Sequence, residues 1–103
     1  MRNLFIANVL MLGVAAFSQT AMANEDLAKK YNCMACHAID SKLVGPPYKE
    51  VAAKYKDDAA APEALAAKVK AGGSGVWGQI PMPPNPTVPD EDLSAIITWI
   101  LAQ

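Results

Sequence analysis

Besides methionine, one histidine and two cysteines are all this chain offers of the softer metal-binding side chains. A structural zinc site needs four ligands. Cys33, Cys36 and His37 supply only three, and two of those are adjacent in sequence. Alternating apolar and polar runs are essentially missing, which removes the strands a thioredoxin-type dithiol needs around it. Basic charge is scarce as well: nine lysines and arginines stand against ten acids. That balance gives no grip on a phosphate backbone, so nucleic acid is not an expected partner. There are no internal repeats, and only one long apolar run.

That run, Leu4 to Phe17, follows Arg2 and precedes Ala21-Met22-Ala23. A positive start, a short apolar stretch and a small-x-small site make a secretory signal peptide, residues 1–23. Cleavage after Ala23 leaves 103 − 23 = 80 residues, 24–103, with a formal charge of 8 − 10 = −2. The product is expected to be exported, with no membrane span. A core of this size stabilises a chain only marginally without a staple. A Cys33–Cys36 disulfide would close too small a loop to help much.

Four helices are expected, and the fold class is all-α. Glu25 to Tyr31 follows Asn24, a good N-cap residue. Tyr48 to Tyr55 follows Pro46-Pro47. Pro62 to Lys70 opens with proline in its first turn and closes at Gly72-Gly73. Asp90 to Ala102 carries Leu93, Ile96, Ile97, Ile100 and Leu101 on one helical stripe. Between the last two lies a glycine- and proline-rich stretch, 72–89. A segment that long in so small a domain suggests a stiff loop that holds something.

Cys33-Met34-Ala35-Cys36-His37 is the C-x-x-C-H attachment motif for c-type haem. Each thiol adds to one porphyrin vinyl group, and the next residue, His37, falls beneath the ring as an iron ligand. With no second histidine, methionine is the next candidate for the opposite ligand. Met1, Met11 and Met22 leave with the signal peptide, and Met34 sits inside the motif. Met82 remains, braced by Pro81, Pro83 and Pro84. His37 and Met82 would fill both axial positions, leave no open site for substrate and favour the ferrous iron of an electron carrier. A peroxidase-like enzyme or a haem sensor is the alternative, and either would need a labile sixth ligand.

"CMACHAID", "VGPPYKEVAAKY" and "GGSGVWGQIPMPPN" closely resemble the small bacterial class I cytochromes c of the c-551/c-552 group. The likeness implies about four helices wrapped around one covalent haem c with its iron. It also implies electron transport in the periplasm as a monomer that docks transiently with redox proteins. A nitrite reductase, a terminal oxidase or a cytochrome c peroxidase is the implied acceptor, and no enzymatic activity of its own is implied. By position, the Pro46 carbonyl resembles the acceptor for the His37 ring. Asn85 resembles the residue that bonds the methionine sulfur, and Trp77 the indole that reaches a haem propionate. Lys68 stands where relatives often carry a propionate-binding arginine, whose planar fork lysine cannot reproduce. Trp99 is expected in the core or at an interface. Met34, Ala35, Leu43, Val44 and Ile80 are expected to rim a docking face, with Lys29, Lys30, Lys42 and Lys49 outside it.

Overall fold

The computed structural model describes residues 20–103, with side chains described from residue 24 onward. Most of the expected signal peptide lies outside the described residues. Four α-helices follow in order: α1 Thr20–Lys30, α2 Tyr48–Lys54, α3 Ala61–Ala71 and α4 Asp90–Leu101, with a single 3₁₀ turn at Cys33–Ala35. Among the described residues the sole β pairing is an isolated antiparallel bridge between Gly73 and Met82. The fold is all-α.

Local chemistry explains the boundaries. Pro47 sits extended, with φ −61 and ψ 144, and releases the chain into α2. Pro62 occupies the first turn of α3, where its missing N–H has no partner to lose. Gly72 ends α3 in the left-handed region at φ 70, its N–H donating to the Lys68 carbonyl. Pro89 opens α4, and Asp90, Glu91 and Asp92 fill a first turn whose dipole favours negative charge. One expectation fails at α1. Asn24 lies inside that helix rather than at its N-cap, because helix-forming Ala21, Met22 and Ala23 carry the helix back to Thr20.

Helix α4 is the hub: it packs against α1, α2 and α3, whose backbones do not meet one another. Its apolar stripe divides into two seams. Ile96, Trp99 and Ile100 pack with Ala28, Tyr48 and Val51, while Leu93 and Ile97 pack with Val88. Fully burying an aliphatic side chain of this size contributes about 1.5–3 kcal/mol, so these few residues carry most of the cohesion. Trp99 is a core residue, its ring edge-on to Tyr48 at 5.4 Å.

Polar ties reinforce α4 at its start. The Lys70 ammonium pairs with Asp90 at the surface, a contact that contributes little in water. Across the α1–α4 interface the Tyr31 hydroxyl donates to Asp92 Oδ2 at 2.6 Å. That bond, helped by burial and by the carboxylate charge, raises the Tyr31 phenol above its ordinary value of 10.0. The fold therefore favours the neutral phenol. Its contribution is complete below the unfolded-state value and is lost as pH rises through the folded one. As pH rises above about 10 the native protein should lose more stability than Tyr31→Phe. Parallel denaturant melts at stepped pH read the difference, and equal slopes would remove the hydroxyl from the account.

Candidate functional site

The C-x-x-C-H motif is wound by its backbone into one tight turn. Asn32 enters it at φ 62, a left-handed conformation that asparagine tolerates better than most residues. The Cys36 and His37 N–H groups both donate to the Cys33 carbonyl, at 3.3 and 3.1 Å. This curl sets the two half-buried cysteines and the histidine around one short arc. Both thiols are free. Burial raises the Cys33 thiol above its ordinary value, the opposite of the low-pKa thiolate that redox dithiols and metal-thiolate sites require. Among the described residues no group of three His, Cys, Asp or Glu side chains could hold a metal ion by itself.

His37 is clamped on three sides. Its Nδ1 lies 2.8 Å from the Pro46 carbonyl oxygen, and a carbonyl can only accept, so Nδ1 carries the hydrogen. The Nε2 lone pair is then the one left for a metal. The Tyr48 ring stacks on the imidazole at 5.1 Å and 17°. Burial pushes the Tyr48 phenol far above its ordinary range, so it stays neutral, and its buried hydroxyl has no hydrogen-bond partner. The third side is Gly45. A Cβ there would stand 2.4 Å from His37 Cε1 and 2.7 Å from Nδ1. Gly45→Ala should displace the ring, weaken the bond to Pro46 and destabilise the haem-loaded protein by about 1–3 kcal/mol. Guanidinium denaturation and the His37 ring proton shifts measure both effects.

Met82 is held by its backbone. Its N–H donates to the Gly73 carbonyl at 2.8 Å, and the Gly73 N–H donates back to the Met82 carbonyl at 3.0 Å. The end of α3 is thereby stitched to the proline-rich segment, and the Asn85 N–H adds a bond to the Val69 carbonyl at 2.9 Å. Gly72 makes the approach possible, since a Cβ there would lie 2.5 Å from the Met82 carbonyl oxygen and 2.8 Å from Pro84 N. Gly45, Gly72 and Tyr48 are thus site-building residues that motif reading passes over. The one local signal is the Gly72-Gly73 pair, which a helix end alone does not need.

Asn85, Lys68 and Trp77 sit around the same loop. The Asn85 side-chain Nδ2 donates to the Pro83 carbonyl at 3.0 Å, which leaves the amide's second hydrogen for another acceptor. The Lys68 ammonium lies over the loop base, 3.1 Å from where a Gly73 Cβ would be. Trp77 is exposed, and the Lys54 ammonium lies over its ring at 5.6 Å. The expected docking rim needs one correction: Met34 turns inward and packs against the Ala28–Tyr48–Trp99 seam, because the 3₁₀ turn faces it toward the core. Lys29 and Lys49 are paired with Glu25 and Asp40 at the surface.

Among the described residues Leu43, Val44, Val76, Trp77 and Ile80 are the exposed large apolar side chains, with Ile80 at 66%. All five lie in the two segments that lead from His37 and up to Met82. Apolar flanks, a histidine with Nε2 available and two free thiols on one turn fit a large, flat, apolar group attached at sulfur and ligated at nitrogen. The cytochrome c family model matches residues 16–103. The chain belongs to the cytochrome c family. It is 54% identical over 97 residues to cytochrome c-552 of Nitrosomonas europaea, covering 94% of this chain and 89% of that protein. It is 56% identical over 82 residues to cytochrome c-551 of Allochromatium vinosum, covering 80% of this chain and 87% of that one. The crystal structure of wild-type Nitrosomonas europaea cytochrome c552 superposes with a TM-score of 0.73 at 58% identity, over 76% of this chain and 96% of that chain. This cytochrome c has the class I fold, carries covalently bound haem c with its iron, and is a small electron-transfer protein rather than an enzyme. No described helix is long and apolar enough to cross a membrane.

Proposed function

We propose that this cytochrome c shuttles single electrons in the periplasm, with its haem bonded to Cys33 and Cys36 and the iron ligated by His37 and Met82. When bound, the haem supplies an iron that takes up and returns one electron. The protein's part is orientation. Pro46 and Tyr48 hold the imidazole with Nε2 presented, and the Gly73–Met82 bridge holds the methionine backbone. That two-way bridge is the observation that carries the reading, because it fixes the only methionine after the attachment motif. With His37 and Met82 both held to the iron, no ligand place would remain for substrate, and the braced loop would limit rearrangement as the electron comes and goes. Trp77 and Lys68 serve the propionates, and Asn85 serves the methionine sulfur through its second amide hydrogen.

The ferric protein at neutral pH should show the weak long-wavelength absorption of methionine-ligated haem. Its absence would leave a haem sensor or peroxidase-like module with a labile sixth ligand as the better reading. The acceptor is a nitrite reductase, a terminal oxidase or a cytochrome c peroxidase, met through brief docking by a monomer. Export removes residues 1–23. Leu27 and Ala28 of α1 and Tyr31 just after it, described residues that pack on the core, all lie beyond the cut. Mass spectrometry of a periplasmic extract should find a chain starting at Asn24, and a chain retaining Met1 would contradict cleavage.

A further inference from the structure

The loop that carries Met82 is pinned at its base and almost bare at its tip. Residues 73–81 are all exposed, and nothing lies within 4 Å of where a Cβ would stand on Gly75 or Gly78. A single backbone bond, Gly75 N–H to the Gly78 carbonyl at 2.7 Å, closes the tip on itself. Besides Lys68 at the base, one side chain reaches in from another element. The Lys54 ammonium, at the end of α2, lies 5.6 Å from the Trp77 ring centroid and 5.9 Å from the Tyr55 ring centroid. Both distances are within cation–π range. Tyr55 in turn packs against the Ala28–Tyr48–Trp99 seam. Among the described residues Lys54 makes no ion pair with a carboxylate, whereas Lys29, Lys49 and Lys70 do.

We propose that Lys54 is a positioning residue for the haem site: its ammonium, set between the Tyr55 and Trp77 rings, fastens the tip of the Met82 loop to helix α2. The inference rests on the assignment of Met82 and Trp77 to the haem site and adds the residue that holds the loop shut. A contact between two partly solvated rings and a cation acts on the loop's opening equilibrium and leaves the core alone. With Met82 on the iron as proposed, loop opening would also admit an outside ligand. Lysine has no unique claim on the position. Arginine stacks on aromatic faces at least as well, whereas methionine fills the space without the charge.

The test uses the haem-loaded protein carrying Lys54→Met, Lys54→Arg or, as a control for charge alone, Lys56→Met. Hydrogen exchange of the Trp77 indole N–H and the 74–78 amides is followed in the ferrous state, and imidazole affinity is titrated in the ferric state. Lys54→Met should speed exchange and tighten imidazole binding about two- to five-fold, the scale of an exposed cation–π contact. Lys54→Arg should restore both, and Lys56→Met should change neither. Unchanged exchange in Lys54→Met, no rescue by arginine, or an equal effect of Lys56→Met would each overturn the proposal. The two readouts separate failures. Exchange reports the Lys54–Trp77 clamp whatever ligates the iron, while a wild-type ferric spectrum without the methionine signature rejects Met82 before any variant is compared.

Discussion

Met82→Ala in the haem-loaded protein is expected to abolish the long-wavelength ferric absorption and to lower the reduction potential by roughly 0.2–0.3 V, a share of the ~0.8 V that axial ligands command. The thioether is a soft donor that favours the ferrous state, and its loss gives water or hydroxide the sixth position. The fold should survive. Met82 is tied through its own N–H and carbonyl to Gly73, and alanine keeps both bonds. The side chain is only half-buried, so the stability loss should sit near the low end of the ~2–5 kcal/mol typical of methionine truncation. Far-ultraviolet circular dichroism should therefore stay helical while spectroelectrochemistry moves. A sensor or peroxidase reading makes the opposite forecast, with potential and function little changed.

Gly72→Ala is expected to be the most damaging single methyl group in the chain. The residue sits at φ 70, where a side chain costs about 1–2 kcal/mol. Its Cβ would also meet the Met82 carbonyl oxygen at 2.5 Å and Pro84 N at 2.8 Å, both backbone atoms that cannot swing aside. Overpacking adds about 1–3 kcal/mol. A combined loss of about 2–5 kcal/mol in a domain of this length lowers Tm by on the order of 10–30 °C. The Gly73–Met82 bridge should break with it, so methionine ligation should fade at temperatures where the helices persist. Gly75→Ala is the control, sharing positive φ but with open space around its Cβ. A Gly72→Ala melt no lower than that of Gly75→Ala would show that close approach to the Met82 segment is not required.

Legibility in the sequence followed the reach of the interaction. Helices α2, α3 and α4 are bounded by Pro47, Pro62, Gly72 and Pro89, residues whose backbone limits act wherever they occur, so sequence reading places those helices to within about a residue. Asn24 misled because a cap residue signals a helix start only where the preceding residues do not themselves favour helix. The C-x-x-C-H motif from Cys33 to His37 needed only composition and spacing to read, and the proposal of Met82 rests on the same ground. What holds them did not show. The Gly73–Met82 bridge left only the Gly72-Gly73 pair as a local sign, and the Lys54–Trp77 stack joins two elements with no local pattern that marks the partner. Tyr48 read as one apolar position on a stripe, yet its ring both stacks on His37 and meets Trp99 in a T-shaped contact.

The central place of α4 has a consequence for how the fold comes apart. Among the described residues the backbones of α1, α2 and α3 meet α4 and not one another. Unseating α4 therefore removes the shared support of all three at once, and the segments that carry His37 and Met82, which run between those helices, lose their common frame together.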